Sequence, residues 1–329
     1  MLGRESNKEQ FACRLYDVYC EAVGGKAWDG RPLPTSEEFF YDAAKVKQAD
    51  AWRAVAEFAL KGSWTKKTQE KQASDLTKVQ RYFPEPTYNL KGHTYFVGDI
   101  HGEFGRFDIY LQEQEAKGLA PGNLIILGDV GLGFVFKNAD GTQVSTTLQF
   151  QDFCMEVYKR GWTVYCIRGN HDNPDAWRGS SNTDVPGLPR MLRDNSVITI
   201  HGRTFYIAGG AVSVDKNRRV PGKSWWEGEE LFVPVEAMKD MKGKVYGILS
   251  HTGPIPPNCD RIEPLPDNVL SALEWERIQK DRLVRMQPKE WYFGHFHVTE
   301  SFDLDDIKCK CLDIFDIHEF YIPGEEIDN

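Results

Sequence analysis

Three short apolar runs, separated by two stretches of helical spacing, occupy the middle of the chain. The runs are TYFVG, NLIILG and TVYCIRG, and polar residues follow each of them closely. The intervening stretches, residues 104–118 and 146–161, carry apolar side chains at the intervals expected of amphipathic helices. Strand, helix, strand, helix, strand is the order of parallel βαβ units. The pattern therefore predicts a parallel sheet covered by helices.

The second half of the chain predicts more strands. The segment SVITIHGRTFYIAGG is typical of a hairpin that turns at His201 and Gly202. Further strands are predicted in KVYGILSH, EWYFGHFH and the terminal stretches IKCKCLDI and FDIHEFYI. Strand pairs this late in the chain indicate a second sheet. The predicted fold class is α/β with α+β elements, a two-sheet β sandwich flanked by helices.

Residues 1–88 differ from the rest and are predicted to form a small helical N-terminal module with a linker. The stretches at 11–23 and 49–60 have the spacing of amphipathic helices. A Lys- and Gln-rich segment then leads to a second domain, predicted for residues 89–329. This segment is either a solvated connector, which we favour, or a basic surface that steers an anionic substrate. The module is a candidate for docking a partner or for oligomerisation.

Composition and charge narrow the functional classes. The 329 residues are 41% apolar, which is enough for a packed core. A net charge of -9 argues against binding of extended duplex nucleic acid, which needs clustered Lys and Arg, but leaves a small or single-stranded phosphate substrate open. No signal peptide or membrane span is evident. Seven cysteines without a C-x-x-C motif indicate reduced thiols, so we expect a cytoplasmic protein.

Polar side chains that can bind metal ions follow the predicted strands. In an open α/β sheet, ligands bind just beyond the carboxyl ends of the strands. Five of the eight histidines fall at such ends. A single D-x-H motif is most often an ordinary turn, but turns alone do not explain the ordered set. Its members are Asp99, His101, Asp129, Asn170, His171, Asp172, His251, His295 and His297.

The ordered motifs D-x-H, G-D, G-N-H-D, H and G-H-x-H resemble the signature of the calcineurin-like metallophosphoesterases. Every block of that signature is present, within residues 93 to about 322. The resemblance implies the fold of that superfamily and a centre with two divalent metal ions. It implies that Asp99, His101, Asp129 and His297 hold one ion, and that Asp129, Asn170, His251 and His295 hold the other.

Elementary chemistry is compatible with the implied centre. A carboxylate has two oxygens, so Asp129 can bridge two ions. Oxygen and imidazole ligands without thiolate favour Mn, Fe, Co, Zn or Ni over soft metals, and we expect Mn. Two ions about 3.5–4 Å apart can clamp a phosphate and an activated hydroxide for in-line attack. We therefore expect a metal-dependent phosphohydrolase.

Two residues of the third motif are not needed as ligands in this scheme. His171 is a candidate general acid that protonates the leaving oxygen, and an ordinary histidine pKa of about 6.5 suits this role. Asp172 has two interpretations. It either orients and stabilises a protonated His171 or caps the loop in which it lies.

The sequence departs from the phosphoprotein phosphatases of this superfamily. Those enzymes typically carry Asp-Arg shortly after the second aspartate block and Glu after Gly-Asn-His. Here the corresponding segments are GDVGLGF and GNHD, so the usual phosphate-clamping arginine is missing. The departure favours relatives that act as phosphodiesterases.

Loop 214–230 is the predicted source of a replacement cation. It combines basic side chains with neighbouring tryptophans, a mixture suited to a phosphate and a stacked base. The alternative is a surface loop whose aromatic side chains pack inward. The basic residues are Lys216, Arg218, Arg219 and Lys223, and the tryptophans are Trp225 and Trp226.

These expectations favour a phosphodiesterase acting on a small phosphate ester or a short nucleotide, including cyclic nucleotides and oligonucleotides. Asn170 is a candidate substrate contact as well as a ligand. Two alternatives stay open: a phosphomonoesterase acting on nucleotides or phosphoproteins, and a binding protein of the same fold without turnover. The segment AGGAVSVDKNRR and the SWW that follows are also similar to a branch of the superfamily found in phages and gut bacteria.

Overall fold

The computed structural model describes residues 87–137, 143–178, 185–259 and 265–321. The helical module predicted for residues 1–88 lies outside these ranges, apart from its last two residues. The domain predicted for 89–329 is described except for residues 138–142, 179–184, 260–264 and 322–329.

The described residues form fourteen strands and five helices. The strands are β1 (Asn89–Leu90), β2 (Thr94–Val97), β3 (Asn123–Ile126), β4 (Val135–Lys137), β5 (Gln143–Ser145), β6 (Thr163–Cys166), β7 (Arg190–Met191), β8 (Val197–Ile200), β9 (Arg203–Ala208), β10 (Gly247–Ser250), β11 (Glu290–Phe293), β12 (Glu300–Leu304), β13 (Ile307–Cys311) and β14 (Ile317–Glu319). The helices are α1 (Phe104–Ala116), α2 (Thr146–Lys159), α3 (Asp175–Arg178), α4 (Val235–Met241) and α5 (Asp267–Arg285).

Two large sheets organise the described part of the chain. One sheet has five strands in the order β14-β2-β3-β6-β7, and β2, β3, β6 and β7 run parallel. The other has seven strands in the order β1-β8-β9-β10-β11-β13-β12, with β9, β10, β11 and β13 parallel. Strands β4 and β5 form a separate two-stranded hairpin.

Alternating side chains explain why both faces of each sheet are covered, because successive residues of a strand point to opposite faces. In β2, Tyr95 and Val97 belong to the core shared with α1 and α2. Phe96, between them, faces the other sheet, and its ring centroid lies 6.0 Å from that of Phe205 in β9. A third core covers the outer face of the seven-stranded sheet with α4 and α5, and includes Met241, Ile248 and Leu283.

The layers are therefore helices, five-stranded sheet, seven-stranded sheet and helices, which confirms the predicted two-sheet sandwich. The hairpin at His201 and Gly202 is observed between β8 and β9. The helices predicted for 104–118 and 146–161 end slightly earlier, at Ala116 and Lys159.

One strand lies in a different place from the one expected. The last strand, β14, does not extend the late second sheet but pairs antiparallel with β2 at the edge of the five-stranded sheet. His318 faces Phe96 in this register, and Ile317 faces Val97. The end of the described chain thus closes the sheet that carries the first polar motifs.

Candidate metal centre

The topology brings the polar motifs to one edge of the sandwich. Asp99, Asp129 and Asn170 follow β2, β3 and β6, which are parallel neighbours in the five-stranded sheet. Since parallel strands end at the same edge, these side chains meet there. His251 follows β10 and His295 follows β11 of the other sheet. Both sheets therefore contribute donors to one site.

Several of these residues adopt a backbone conformation that is unfavourable for side chains other than glycine. The φ angles are 53° for His101, 46° for Asp129, 69° for His295 and 51° for His297. Non-glycine residues with positive φ are uncommon, and they concentrate at functional sites where the surrounding structure holds them in place. The fold thus constrains the backbone at four of the predicted ligands.

The first group of donors surrounds the Asp99 carboxylate, which is fully buried. Its Oδ2 lies 3.1 Å from Nε2 of His297 and 3.5 Å from Nε2 of His101. The two Nε2 atoms are 2.9 Å apart. The other carboxylate oxygen, Oδ1, accepts a hydrogen bond from the backbone N–H of His295 at 3.1 Å.

The second group surrounds the Asp129 carboxylate, which is 1% exposed. Its Oδ1 lies 3.2 Å from Nε2 of His251 and accepts the backbone N–H of His171 at 2.8 Å. Its Oδ2 lies 3.9 Å from Nδ1 of His101, so Asp129 faces both groups of donors. The rings of His251 and His295 are 5.0 Å apart between centroids.

The carboxylates and imidazoles shift each other's protonation. Burial raises the pKa of Asp99 and Asp129, but neighbouring histidines outweigh it and hold both carboxyl pKa values below their usual range. Burial lowers the pKa of His251, yet the Asp129 carboxylate reverses the shift and raises it to about 9. Burial and the nearby His251 lower the pKa of His295 to about 4. The cluster thus contains two buried carboxylates, whose negative charge a bound cation would balance.

The orientation of the donors also fits metal ions. Nδ1 of His251 donates to the carbonyl oxygen of Leu127 at 2.9 Å, so Nε2 faces the cluster, 2.9 Å from Oδ1 of Asn170. With its pKa raised to about 9, His251 carries a proton on Nε2 and donates it to the Asn170 oxygen, and a metal ion held by both atoms would take the place of that proton. Nε2 of His101 and Nε2 of His297 are also 2.9 Å apart, so a proton or a cation must lie between them.

Among the described residues there are three groups of possible ligands, and within each group the donor atoms lie within 4.8 Å of one another. All of them are carboxylate oxygens or imidazole nitrogens, which suit divalent first-row metals. Asp99, His101 and Asp129 occur in more than one group, so the groups overlap in space. The groups are Asp99–His101–His297, His101–Asp129–His171 and Asp99–Asp129–His251.

His171 contacts a cation from the loop predicted to bind phosphate. Nη2 of Arg219 lies 2.6 Å from Nε2 of His171, and Nη1 lies 3.0 Å from Nδ1. Arg219 is held by Asp215, whose Oδ1 accepts from Nε at 2.7 Å. Burial lowers the pKa of His171, Arg219 adds to the shift against the opposing Asp129 carboxylate, and the pKa falls to about 4.

The hydrogen bonds of Asp172 are those of a loop cap, one of its two predicted roles. Its carboxylate is fully buried and accepts four backbone N–H groups, from Val130, Gly131, Leu132 and Gly169, at 2.7–3.3 Å. Among the hydrogen bonds between described residues, none joins Asp172 to the ring of His171. These contacts favour the loop-capping interpretation of Asp172, since its oxygens are engaged by three amides of the loop after β3 and by that of Gly169 after β6.

The other predicted residues of loop 214–230 lie further from the cluster. Arg218 and Lys223 are exposed, and within the described residues no hydrogen bond or ion pair links either to the predicted ligands. Trp226 is buried and its ring packs edge-on against Phe134, with centroids 4.9 Å apart. Trp226 therefore packs inward, in agreement with the alternative interpretation of this loop. Its buried ring has no free face on which a base could stack.

Two buried residues behind Asn170 were missed from the sequence. Ser213 Oγ lies 2.9 Å from Nδ2 of Asn170, and Glu229 lies 2.7 Å beyond Ser213. The available signal was a polar residue inside the otherwise apolar run AGGAVSV, just after a predicted strand. The partner Glu229 follows a loop of fifteen residues, so no local pattern pairs it with Ser213.

The sandwich and its carboxylate–histidine cluster define a metal-dependent phosphoester hydrolase. The family model for calcineurin-like phosphoesterases matches residues 92–299, and the chain belongs to this family. The match spans every predicted ligand from Asp99 to His297. A search among curated proteins finds no match.

Several solved structures show a distant likeness. The protein TT1561 of Thermus thermophilus is 12% identical, with 69% of this chain and 91% of that chain covered and a TM-score of 0.40. Phosphopantetheinyl hydrolase from Mycobacterium tuberculosis is 13% identical, with coverage of 71% and 100% and a TM-score of 0.41. A putative 5'-nucleotidase from Staphylococcus aureus is 15% identical, with coverage of 69% and 50% and a TM-score of 0.38. At this level of similarity, none of them indicates the substrate of this chain.

The structure also bears on membranes and cysteines. None of the described helices has the length and apolar character that a membrane crossing requires. Cys154, Cys166, Cys309 and Cys311 are buried free thiols, and all four belong to the cores on the outer faces of the sheets.

Proposed function

We propose that the chain is a phosphodiesterase that hydrolyses nucleotide, cyclic nucleotide or oligonucleotide phosphodiesters. The observation that supports a diester most directly is the contact of one cation, Arg219, with His171 at the cluster. Arg219 is only 12% exposed at its side chain and contacts His171. A diester carries one negative charge, whereas a phosphate monoester carries about 1.5–2 at pH 7. One arginine together with a metal centre matches the smaller charge.

The proposed metal ligands are those implied by the sequence. Asp99, His101 and His297 would hold one ion, Asn170, His251 and His295 the other, and Asp129 would contact both. The ions would neutralise the phosphate and activate a water molecule, which is the chemistry that paired divalent metals supply. Oxygen and imidazole donors without thiolate suit Mn, Fe, Co, Zn or Ni, and of these we propose Mn.

The protein's own side chains would then complete the site. Arg219 would bind phosphate oxygens, since a guanidinium forms strong charge-assisted hydrogen bonds with them. His171 would give a proton to the leaving oxygen after the negative charge of a bound phosphate has raised its pKa, because burial and Arg219 hold that pKa at about 4 in the structure. In the structure the Arg219 guanidinium contacts both ring nitrogens of His171. It must therefore turn toward the phosphate before the imidazole can act on the leaving oxygen. Substrate binding and the readiness of the acid are therefore linked through one contact.

Substrate preference tests the proposal. Purified protein supplemented with Mn is assayed on bis-p-nitrophenyl phosphate, on p-nitrophenyl phosphate and on a panel of cyclic nucleotides. We expect turnover of the diester well above that of the monoester. Asp129→Asn serves as the control for metal-dependent turnover, because it alters the carboxylate that faces both donor groups.

The opposite preference would favour the alternative activity. Monoester turnover above diester turnover, retained with nucleoside monophosphates, would identify a phosphomonoesterase and contradict the charge argument from Arg219. Hydrolysis of either substrate that survives in Asp129→Asn would show a contaminant or another site.

A further inference from the structure

Three buried side chains form a hydrogen-bonded chain that ends at a proposed metal ligand. Asn170 is 2% exposed, Ser213 is 1% exposed and Glu229 is fully buried. Nδ2 of Asn170 lies 2.9 Å from Oγ of Ser213, which lies 2.7 Å from Oε2 of Glu229. The backbone N–H of Ser213 donates to Oε1 of Glu229 at 2.9 Å. Both oxygens of Glu229 are thus engaged by Ser213.

The chemistry of these groups sets the direction of the chain. When it is ionised, the Glu229 carboxylate only accepts hydrogen bonds, so the Ser213 hydroxyl then donates its single proton to Glu229. Its oxygen can then only accept from Asn170, and the group that donates is the amide nitrogen. The amide oxygen of Asn170 must therefore point the other way, where it lies 2.9 Å from Nε2 of His251.

We propose that Ser213 and Glu229 are positioning residues that hold the amide oxygen of Asn170 toward the metal cluster. The inference rests on the proposed function only in taking Asn170 to be a metal ligand. A flipped amide would place two hydrogens toward the cluster and two acceptors, Asn170 Oδ1 and Ser213 Oγ, against each other. Glu229 excludes this state because it removes the only proton that Ser213 could offer.

The neighbouring ligand His251 is oriented in the same manner. Its Nδ1 is engaged by the carbonyl oxygen of Leu127, which leaves Nε2 for the cluster. Partners of this kind behind a metal ligand fix its orientation, and their loss typically weakens metal binding by about 10–100-fold. Asn170 and His251 contact each other at the cluster. Each is thus oriented by a group that does not itself bind the metal, Ser213 for Asn170 and the Leu127 carbonyl for His251.

The hydrogen bonds from Ser213 favour the ionised form of Glu229. Burial raises the pKa of this carboxyl, and the two hydrogen bonds from Ser213 act against that shift. The segment that carries Ser213 is also fixed independently, because the backbone N–H of Val212 donates to the buried Glu276 at 2.7 Å. Anchoring of loop 214–230 alone therefore does not require the Ser213 side chain.

The proposal predicts a selective effect on one of the two ions. Metal-free protein is titrated with Mn by isothermal calorimetry for the unsubstituted chain, Ser213→Ala and Glu229→Gln, with Ser271→Ala as a control on an exposed helix position. We expect Ser213→Ala to weaken one binding event about 10–100-fold and to leave the other within about twofold. Ser213→Thr keeps the hydroxyl and should restore most of the affinity.

Several outcomes would overturn the inference. Unchanged binding of both ions in Ser213→Ala and Glu229→Gln would show that Asn170 needs no support. Equally weaker binding of both ions, with a matching fall in the Tm of the metal-free protein, would show that Ser213 and Glu229 stabilise the fold as a whole. Fewer than two ions bound by the unsubstituted chain would instead contradict the proposed metal centre. Selective weakening without any diester turnover would keep this inference and reject the proposed substrate.

Discussion

Arg219 and His171 are in direct contact, with Nη2 of the guanidinium 2.6 Å from Nε2 of the imidazole. The contact joins a loop of the seven-stranded side of the molecule to a motif that follows β6 of the five-stranded sheet. The same His171 nitrogen lies 3.8 Å from Oδ2 of Asp129. Under the proposed function, Arg219 would bind a phosphate held by the cluster.

Removing this cation should mainly impair substrate binding. We expect Arg219→Ala to raise KM for a nucleotide diester about 10–100-fold, since a hydrogen bond with a charged group contributes about 1.5–3 kcal/mol. The effect on a small aryl diester should be smaller. Steady-state kinetics on both substrates provide the measurement.

Arg218→Ala is the matched control, because it removes the same charge from an exposed position of the same loop. It should change KM by less than about threefold, the size expected for a screened surface charge. Equal effects of the two substitutions would show that the loop acts through its net charge and not through the Arg219 contact.

His171→Ala should separate catalysis from metal binding. A general acid contributes about 10²–10⁴-fold, and the benefit grows with the basicity of the leaving oxygen. We therefore expect a large loss on alkyl or nucleoside esters and a milder loss on p-nitrophenyl esters, with metal content unchanged by elemental analysis. Loss of metal, or equal loss on both substrate types, would make His171 a ligand or a phosphate-binding residue.

The sequence predicted the sandwich and the location of the cluster because both depend on local patterns. Short apolar runs bounded by Gly and polar residues predict strands, and the rule that parallel strands end together brings Asp99, Asp129 and Asn170 to one edge. The edge position of β14 was not predicted, since the partner of a strand depends on contacts far along the chain. Ile317 and His318 pair with residues more than two hundred positions earlier.

Contacts between side chains distant in sequence account for the remaining differences. The sequence could not choose between Arg218 and Arg219, which differ by one position but not in type. Only the turn at Lys216–Arg218 and the bond from Arg219 to Asp215 decide which arginine faces His171. Likewise, Asp172 was assigned two roles because the four amides that it accepts, in the loops after β3 and β6, become neighbours only in the fold.

Substitution of Asp172 should reduce stability. In Asp172→Asn, one carboxylate oxygen becomes an amide nitrogen that faces backbone N–H groups, and a buried donor left without an acceptor costs about 1–3 kcal/mol. Since Oδ2 and Oδ1 each accept two of these groups, we expect a loss of about 2–4 kcal/mol in the free energy of unfolding. Urea denaturation of the metal-free protein measures it.

Asp152→Asn is the control for this experiment, because Asp152 lies exposed on α2. It should change the free energy of unfolding by less than about 0.5 kcal/mol, as is usual for surface substitutions. A small effect of Asp172→Asn, comparable with the control, would contradict the loop-capping role.

Two substitutions at the cluster should differ in how many ions they affect. Asp129 faces both groups of donors, so Asp129→Asn should weaken both ions. His297 contacts only the Asp99 group, so His297→Ala should mainly affect one. Elemental analysis after Mn supplementation should give about two ions in the unsubstituted chain and about one in His297→Ala. One ion or fewer in the unsubstituted chain would reject the two-metal centre.

A glycine beside the cluster provides a test that changes no polar group. A Cβ at position 294 would lie 2.3 Å from Oδ1 of Asp99, much closer than atoms can approach, so Gly294→Ala must displace this carboxylate. Because Asp99 is buried and contacts His101 and His297, its displacement should weaken metal binding in that group and lower the Tm. Calorimetric titration with Mn and thermal unfolding measure the two effects.

Gly105→Ala is the matched control, since a Cβ at this exposed position in α1 has no atom within 4 Å. Alanine has a higher helix propensity than glycine by about 1 kcal/mol, so this substitution should leave metal binding unchanged and raise the Tm slightly. The contrast between the two alanines isolates the space beside Asp99 as the cause. Normal Mn affinity in Gly294→Ala would show that Asp99 can move without losing its ion, which would remove the steric argument for its fixed position.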